Sequence, residues 1–280
     1  MAVDRATLIV GHGSRDARAN LEFERLVARF AATRGGLEVR HGYIELAAPL
    51  FETPLRELAG RCEQVSVVPL FLFAAGHVKD DVARAVASAR REFPGVALGA
   101  SLALGVHPHM TAAASDRLAA CLGAATARSR TVLVVVGRGS SDPDANGDLC
   151  KMARLIAEGR GFEGVVPCFV GITQPRLPES LEWVARTAPE RVIVLPYFLF
   201  EGELTARIES QVAHFRAAHP SIEVALAQPL GSHERLFRLV EERAAQAFDE
   251  VHRLPCDRCE HRTDAAGGEP AASGGAEDAR

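Results

Sequence analysis

The stretch Leu8-Ile9-Val10-Gly11-His12-Gly13-Ser14-Arg15 decides the fold. An apolar run that stops at a glycine and precedes a helical pattern reads as a buried parallel strand feeding a loop. In an open α/β sheet, ligands bind at such a loop. His12 is thereby expected at the carboxyl end of a strand. Gly11 and Gly13 remove side chains that would crowd the imidazole, and they permit backbone angles closed to other residues. On this stretch alone, a histidine in an ordinary turn describes the residues equally well.

Working outward, residues 16–33 place Leu21, Phe23, Leu26, Val27 and Phe30 at mostly helical spacing, and Gly35-Gly36 ends the pattern. Residues 37–44 read as a second strand closing on Glu45, with a short helix over 49–58. A third strand over 64–73 runs into Ala74-Ala75-Gly76-His77, followed by a helical pattern over 78–93. A fourth strand over 96–104 leads through Gly105-Val106-His107-Pro108-His109 into a helix over 110–122. Strands alternating with helices of this length imply parallel β-α-β crossovers.

The same landmarks then return. Gly11-His12-Gly13-Ser14 recurs as Gly137-Arg138-Gly139-Ser140, and Tyr43-Ile44-Glu45-Leu46 with Pro49 recurs as Phe169-Val170-Gly171-Ile172 with Pro175, both at an offset of 126. Pro69-Leu70-Phe71-Leu72-Phe73 recurs as Pro196-Tyr197-Phe198-Leu199-Phe200, and Leu104-Gly105-Val106-His107 as Leu230-Gly231-Ser232-His233. The Pro69 landmark is offset by 127, which one deletion restores to 126 by Gly76 and Gly202, and landmarks returning in one order and register indicate a tandem duplication. The expected architecture is α/β: two tandem doubly wound domains with mostly parallel four-stranded sheets. Their expected spans are 1–125 and 126–253, and a largely disordered tail is expected over 254–280.

Positions that serve the fold should survive in both copies, whereas positions that serve one active site need survive only once. The glycines survive. His12, Glu45 and His77 do not, being replaced by Arg138, Gly171 and Glu203. His107 is matched by His233, which favours a structural role such as capping the helix that follows.

Composition narrows the classes. With 48% apolar and 24% charged residues over 280 positions, the chain is an ordinary soluble protein, long enough for two cores. A formal charge of −4 offers no footprint for nucleic acid. The longest nearly apolar stretch, 65–76, is too short and too interrupted to span a bilayer, and the first residues lack the pattern of a signal peptide. The expected location is the cytoplasm, where Cys62, Cys121, Cys150 and Cys168 read as buried thiols.

His12, Glu45 and His77 follow the first three strands, so parallel neighbours would project all three side chains at one sheet edge. Two imidazoles and a carboxylate suit divalent Co, Ni, Fe or Zn, and neutral imidazole accepts a proton near pH 7. Three unrelated polar residues at strand ends is the bland alternative. Gly-Arg-Gly-Ser at 137–140 lends itself to carboxylate binding through Arg138, with Ser140 and Ser141 adding hydrogen bonds. Otherwise it is a decayed loop with Arg138 paired to Asp142.

Four stretches carry a resemblance: Gly-His-Gly-Ser-Arg at 11–15, Ile-Glu-Leu-Ala at 44–47, Pro-Leu-Phe-Leu-Phe-Ala-Ala-Gly-His-Val at 69–78, and Gly-Arg-Gly-Ser-Ser-Asp-Pro-Asp-Ala-Asn at 137–146. Over about residues 5–250 the chain resembles the class II chelatases of the CbiX and sirohydrochlorin ferrochelatase type, in their long two-domain form. The resemblance implies insertion of a divalent metal, cobalt foremost, into the carboxylate-rich tetrapyrrole sirohydrochlorin in cobalamin biosynthesis. It implies that His12 and His77 handle metal and accept protons, with Glu45 as the carboxylate beside them. Ser14, Arg15, Arg138, Ser140 and Ser141 are expected at the substrate. The same reaction with iron or nickel, and a non-catalytic metal or tetrapyrrole carrier, are the alternatives. A phosphate-ester enzyme is weaker, because neither glycine loop is followed by Lys-Ser/Thr. A monomer or a homodimer is expected.

The tail carries Cys256-Asp-Arg-Cys259 with His252 and His261 nearby. Some long-form relatives in the family carry an iron–sulfur cluster linked to such a pair, which makes Cys256 and Cys259 candidate ligands. Two cysteines alone do not complete a four-thiolate site, so an inert or redox-active pair stands beside that reading.

Overall fold

The computed structural model describes residues 3–75, 81–122, 130–231 and 233–248. The first half contains β1 (Val3–Gly11), α1 (Ala17–Ala32), β2 (Glu38–Tyr43), α2 (Glu52–Ala59), β3 (Cys62–Pro69), α3 (Ala83–Glu92), β4 (Ala97–Ala100) and α4 (Pro108–Leu122). The second contains β5 (Thr131–Gly137), α5 (Pro143–Ala157), β6 (Gly164–Phe169), α6 (Leu177–Ala185), β7 (Arg191–Pro196), α7 (Glu203–Ala218), β8 (Glu223–Leu226) and α8 (Glu234–Gln246). Each half builds one parallel sheet, in the orders β2-β1-β3-β4 and β6-β5-β7-β8. The order reverses between β1 and β3 and between β5 and β7, and the carboxyl ends at such a switch point form a crevice.

Alternation along each strand sorts side chains to opposite faces. Leu8 and Val10 join Leu55, Leu58 and Val86 under the outer helices α2 and α3. Ile9 turns the other way, into a core shared with Leu133 and Val135 of the second sheet and with Phe30, Leu118, Met152 and Val240. A third cluster lies under α6 and α7, with Val134, Leu181 and Val212. The middle layer holds α1, α4, α5 and α8. Its last helices are exchanged: α4 contacts β7, α8 contacts β3, and α4 and α8 contact each other.

Several boundaries differ from the expectations. The third strand ends at Pro69 instead of Phe73, and Leu70 to Phe73 leave the sheet to wall a cavity. The fourth strand stops at Ala100, four residues before Leu104. The helix after β2 begins at Glu52, because Pro49 and Leu50 first pair with Tyr43, whose amide donates to the Pro49 carbonyl at 2.9 Å. The described part of the helix expected over 78–93 is α3. Cys150 is exposed and Cys121 half-buried, whereas Cys62 and Cys168 are buried as expected. Burial pushes the Cys168 thiol up to about 12. Among the described residues no helix is long and apolar enough to cross a membrane.

Candidate functional site

His12 leaves β1 at the switch point, and its loop is tied to the end of β2. The Ile44 amide donates to the Gly11 carbonyl at 2.9 Å, and the Glu45 amide donates to the His12 carbonyl at 3.0 Å. Gly13, at φ +89°, lies so close to Glu45 that an added Cβ would overlap the Glu45 carbonyl oxygen. These contacts bring the His12 and Glu45 side chains together, with Nε2 3.6 Å from Oε1. Both are partly accessible, His12 at 26% and Glu45 at 46%, which a site that exchanges its ion requires.

The other imidazole nitrogen sets the chemistry. His12 Nδ1 lies 3.1 Å from the Gly13 carbonyl oxygen. A carbonyl only accepts, so the neutral ring donates its proton from Nδ1 and carries its lone pair on Nε2, toward Glu45. Ligand atoms each about 2.0–2.2 Å from one ion fit a separation of this size. His77, the third expected ligand, lies outside the described residues. Among the described residues no three His, Cys, Asp or Glu side chains form a group able to hold a metal.

The second half repeats the scaffold without that chemistry. The Gly171 amide donates to the Arg138 carbonyl at 3.0 Å, and a Cβ on Gly139 would overlap the Gly171 carbonyl oxygen. Arg138 is exposed and lies within 4.0 Å of no described carboxylate, and Asp142 instead caps α5, accepting from the Asp144 amide at 3.0 Å. The two glycine loops open on one cavity of about 600 Å³. It is lined by His12, Ser14 and Arg15 from one half and by Arg138, Ser140 and Glu203 from the other. Stacking of Phe73 on Tyr197, with centroids 5.6 Å apart, joins the two walls. So does a bond from the Glu201 amide to Glu22 Oε2 at 3.2 Å.

The serine hydroxyls have partners within the loops themselves. Ser14 Oγ accepts from the Asp16 amide and Ser140 Oγ from the Asp142 amide, each at 3.0 Å, so both hydroxyls shape their loops. Ser141 is exposed and does not line the cavity. Two residues the sequence reading missed complete the loops. Asn20 accepts from the Ser14 amide at 2.9 Å and donates to its carbonyl at 2.8 Å, and Asn146 makes the same two bonds to Ser140. Their signal was present, since they too stand 126 apart. Cys256 and Cys259 lie outside the described residues.

Comparison with known proteins agrees with this arrangement. The family model described as CbiX matches residues 6–121 and again 132–247. The sirohydrochlorin cobaltochelatase of Priestia megaterium is 32% identical over 260 residues, covering 92% of this chain and 85% of that protein. The sirohydrochlorin ferrochelatase of Bacillus subtilis (strain 168) is 29% identical over 219 residues, covering 78% and 83%. Among solved structures, SirB from Bacillus subtilis with Fe3+ superposes with a TM-score of 0.77 at 26% identity, covering 89% of this chain and 97% of that one. The sirohydrochlorin chelatase SirB from Bacillus subtilis subspecies spizizenii in complex with cobalt gives 0.74 at 27% identity, covering 88% and 96%. With each half matched separately and in the register of its internal repeat, the chain belongs to the CbiX family.

Proposed function

We propose that the protein inserts a divalent metal ion, cobalt first, into sirohydrochlorin, a step of cobalamin biosynthesis. The observation that carries this reading is the His12 Nε2 lone pair facing Glu45 on one wall of a cleft whose other wall presents Arg138. The ring gives up two pyrrole N–H protons as the ion trades its water for four ring nitrogens. His12 can hold the ion or take a proton at the same atom, so delivery and deprotonation meet on one face of the ring. Glu45 supplies a hard, exchangeable oxygen beside it. His77, two residues beyond the cavity-lining Ala75, is proposed as the second histidine.

Arg138 carries a permanent charge and cannot take a proton, so its proposed part is to pair with a substrate carboxylate, with Arg15 beside the opposite loop. Residues 1–125 carry the metal chemistry in this reading and 126–253 the substrate wall. Both walls come from one chain, so a monomer suffices. The expected setting is the cytoplasm, and no role is assigned to the tail cysteines.

The test is to incubate the protein with sirohydrochlorin and Co2+, Fe2+ or Ni2+ and follow the absorbance of the metallated ring. Turnover fastest with Co2+ is expected. The ferrochelatase relatives favour iron as the second reading, and a clear preference for Fe2+ would select it. Stoichiometric transfer without turnover would select a carrier. His12→Ala is expected to lower the rate by about 10²–10⁴-fold with its fold intact, and near-normal turnover would remove His12 from the mechanism.

A further inference from the structure

We infer that Leu46 and Ile172 are substrate-positioning residues: two apolar lips that hold the flat face of the tetrapyrrole while the arginines pair with its carboxylates. The inference rests on the chelatase reading, because its occupant is that ring. Leu46 and Ile172 stand 126 apart in sequence and adopt the same uncommon backbone, at φ +64° and +65°. In each case the flanking residues bond across them. The Ala47 amide donates to the Glu45 carbonyl at 2.8 Å, and the Thr173 amide to the Gly171 carbonyl at 2.7 Å. A positive φ closed by such a bond is the strained form of the γ-turn.

Glycine would adopt this turn without strain, yet both copies carry a large aliphatic side chain there, β-branched in one of them, where a positive φ is most costly. Neither side chain serves the core, being 48% and 56% exposed. A backbone cost kept twice for side chains that stay half exposed and join no core cluster points to a contact outside the protein. Location names the contact. Leu46 lines the cleft and directly follows Glu45, while Ile172 stands at the rim just outside the lining, directly after Gly171, whose amide donates to the carbonyl of the cleft-lining Arg138. The occupant of that cleft is a broad conjugated ring with charge only at its edge, which needs apolar groups against its face and cations around its rim.

The experiment compares binding and turnover of sirohydrochlorin in the full chain carrying Ile172→Gly, Ile172→Thr or Ile172→Leu, with Leu46→Gly as the companion. Glycine relieves the turn, so the thermal midpoint is expected to hold or rise, while Kd and KM for the ring rise by about tenfold, the order expected for one large aliphatic contact. Threonine keeps the branched shape but not the apolar surface and is expected to weaken binding similarly, whereas leucine restores it. These losses should be insensitive to salt, unlike that of Arg138→Ala, which should shrink as salt screens the pair in wild type. Wild-type affinity in Ile172→Gly and Ile172→Thr overturns the inference and leaves the chelatase reading standing. Wild-type protein that neither binds nor metallates the ring overturns that reading, and the lips with it.

Discussion

Gly13 carries more of the site than its lack of a side chain suggests. Its carbonyl accepts the His12 Nδ1 proton, and its bare Cα lets the loop lie against Glu45, so it sets both the tautomer of the histidine and the distance to the carboxylate. A Cβ there would overlap backbone, at a φ of +89° that L-residues avoid. Gly13→Ala should cost roughly 1–3 kcal/mol for the overlap, with about 1–2 kcal/mol more for the left-handed backbone. Gly139→Ala meets the same clash against Gly171 and should lower stability comparably in urea titrations. Per molecule still folded, the first should lower the rate of insertion itself, whereas the second, which disturbs the Arg138 loop and leaves the His12 loop intact, should act through weaker substrate binding. His12 and Glu45 were legible in the sequence because the repeat keeps the glycines and loses the imidazole and carboxylate. The γ-turns at Leu46 and Ile172 were not legible, because nothing in an ordinary aliphatic residue announces a positive φ.

At the scale of elements, α4 and α8 hold the halves together through two interlocks. His107 caps α4 by accepting from the His109 amide at 3.2 Å, while its Nε2 lies 3.2 Å from Glu242 on α8, which His109 also meets at 2.9 Å. His233 caps α8 by accepting from the Arg235 amide at 3.3 Å, and its Nε2 lies 3.3 Å from Asp116 on α4. The caps were legible from the paired histidines. Their carboxylates, also 126 apart, were hidden because each lies across the seam. Similarly, the apolar run after Pro69 reads as strand until the cavity it walls is known.

Burial, helped by the Arg243 guanidinium and opposed by Glu242, pushes His107 below its ordinary value of 6.5. Protonation would also place a hydrogen on the nitrogen that caps α4. Between the folded value and 6.5 the unfolded chain binds the proton and the folded chain does not. The stability contributed above about pH 6.5 is therefore lost as pH falls through the folded value. Burial lowers His41 as well, adding to the same trend. Melting curves recorded from pH 7.5 downward should show a falling midpoint. In His107→Asn, which keeps a cap but cannot titrate, the fall should be shallower.

The whole molecule is less divisible than its repeat implies. Each sheet takes one covering helix from the other half, and Gly99 lies so close to the end of α8 that a Cβ would overlap the Ala247 carbonyl oxygen. Arg243, only 6% exposed, reaches from α8 to donate to the Ala103 carbonyl at 2.9 Å and the Leu104 carbonyl at 2.8 Å. Arg117 answers from α4 with 2.8 Å to the Leu230 carbonyl. Arg243→Leu strips partners from two buried carbonyls and should cost about 1–3 kcal/mol for each group left unsatisfied. Urea titration should show this as one shifted transition, both halves melting together.

The frame is a two-fold and the reagents on it are not. Equivalent loops meet the cavity from both sides, but one presents a base and a carboxylate and the other a fixed cation. In the proposed reaction ion and protons therefore cross at the His12 wall, while the carboxylates are held at the Arg138 wall. The repeat supplies two matching walls with an imidazole on only one of them, and in the proposed reaction this gives the cleft a polarity: traffic of ions and protons runs through one wall alone.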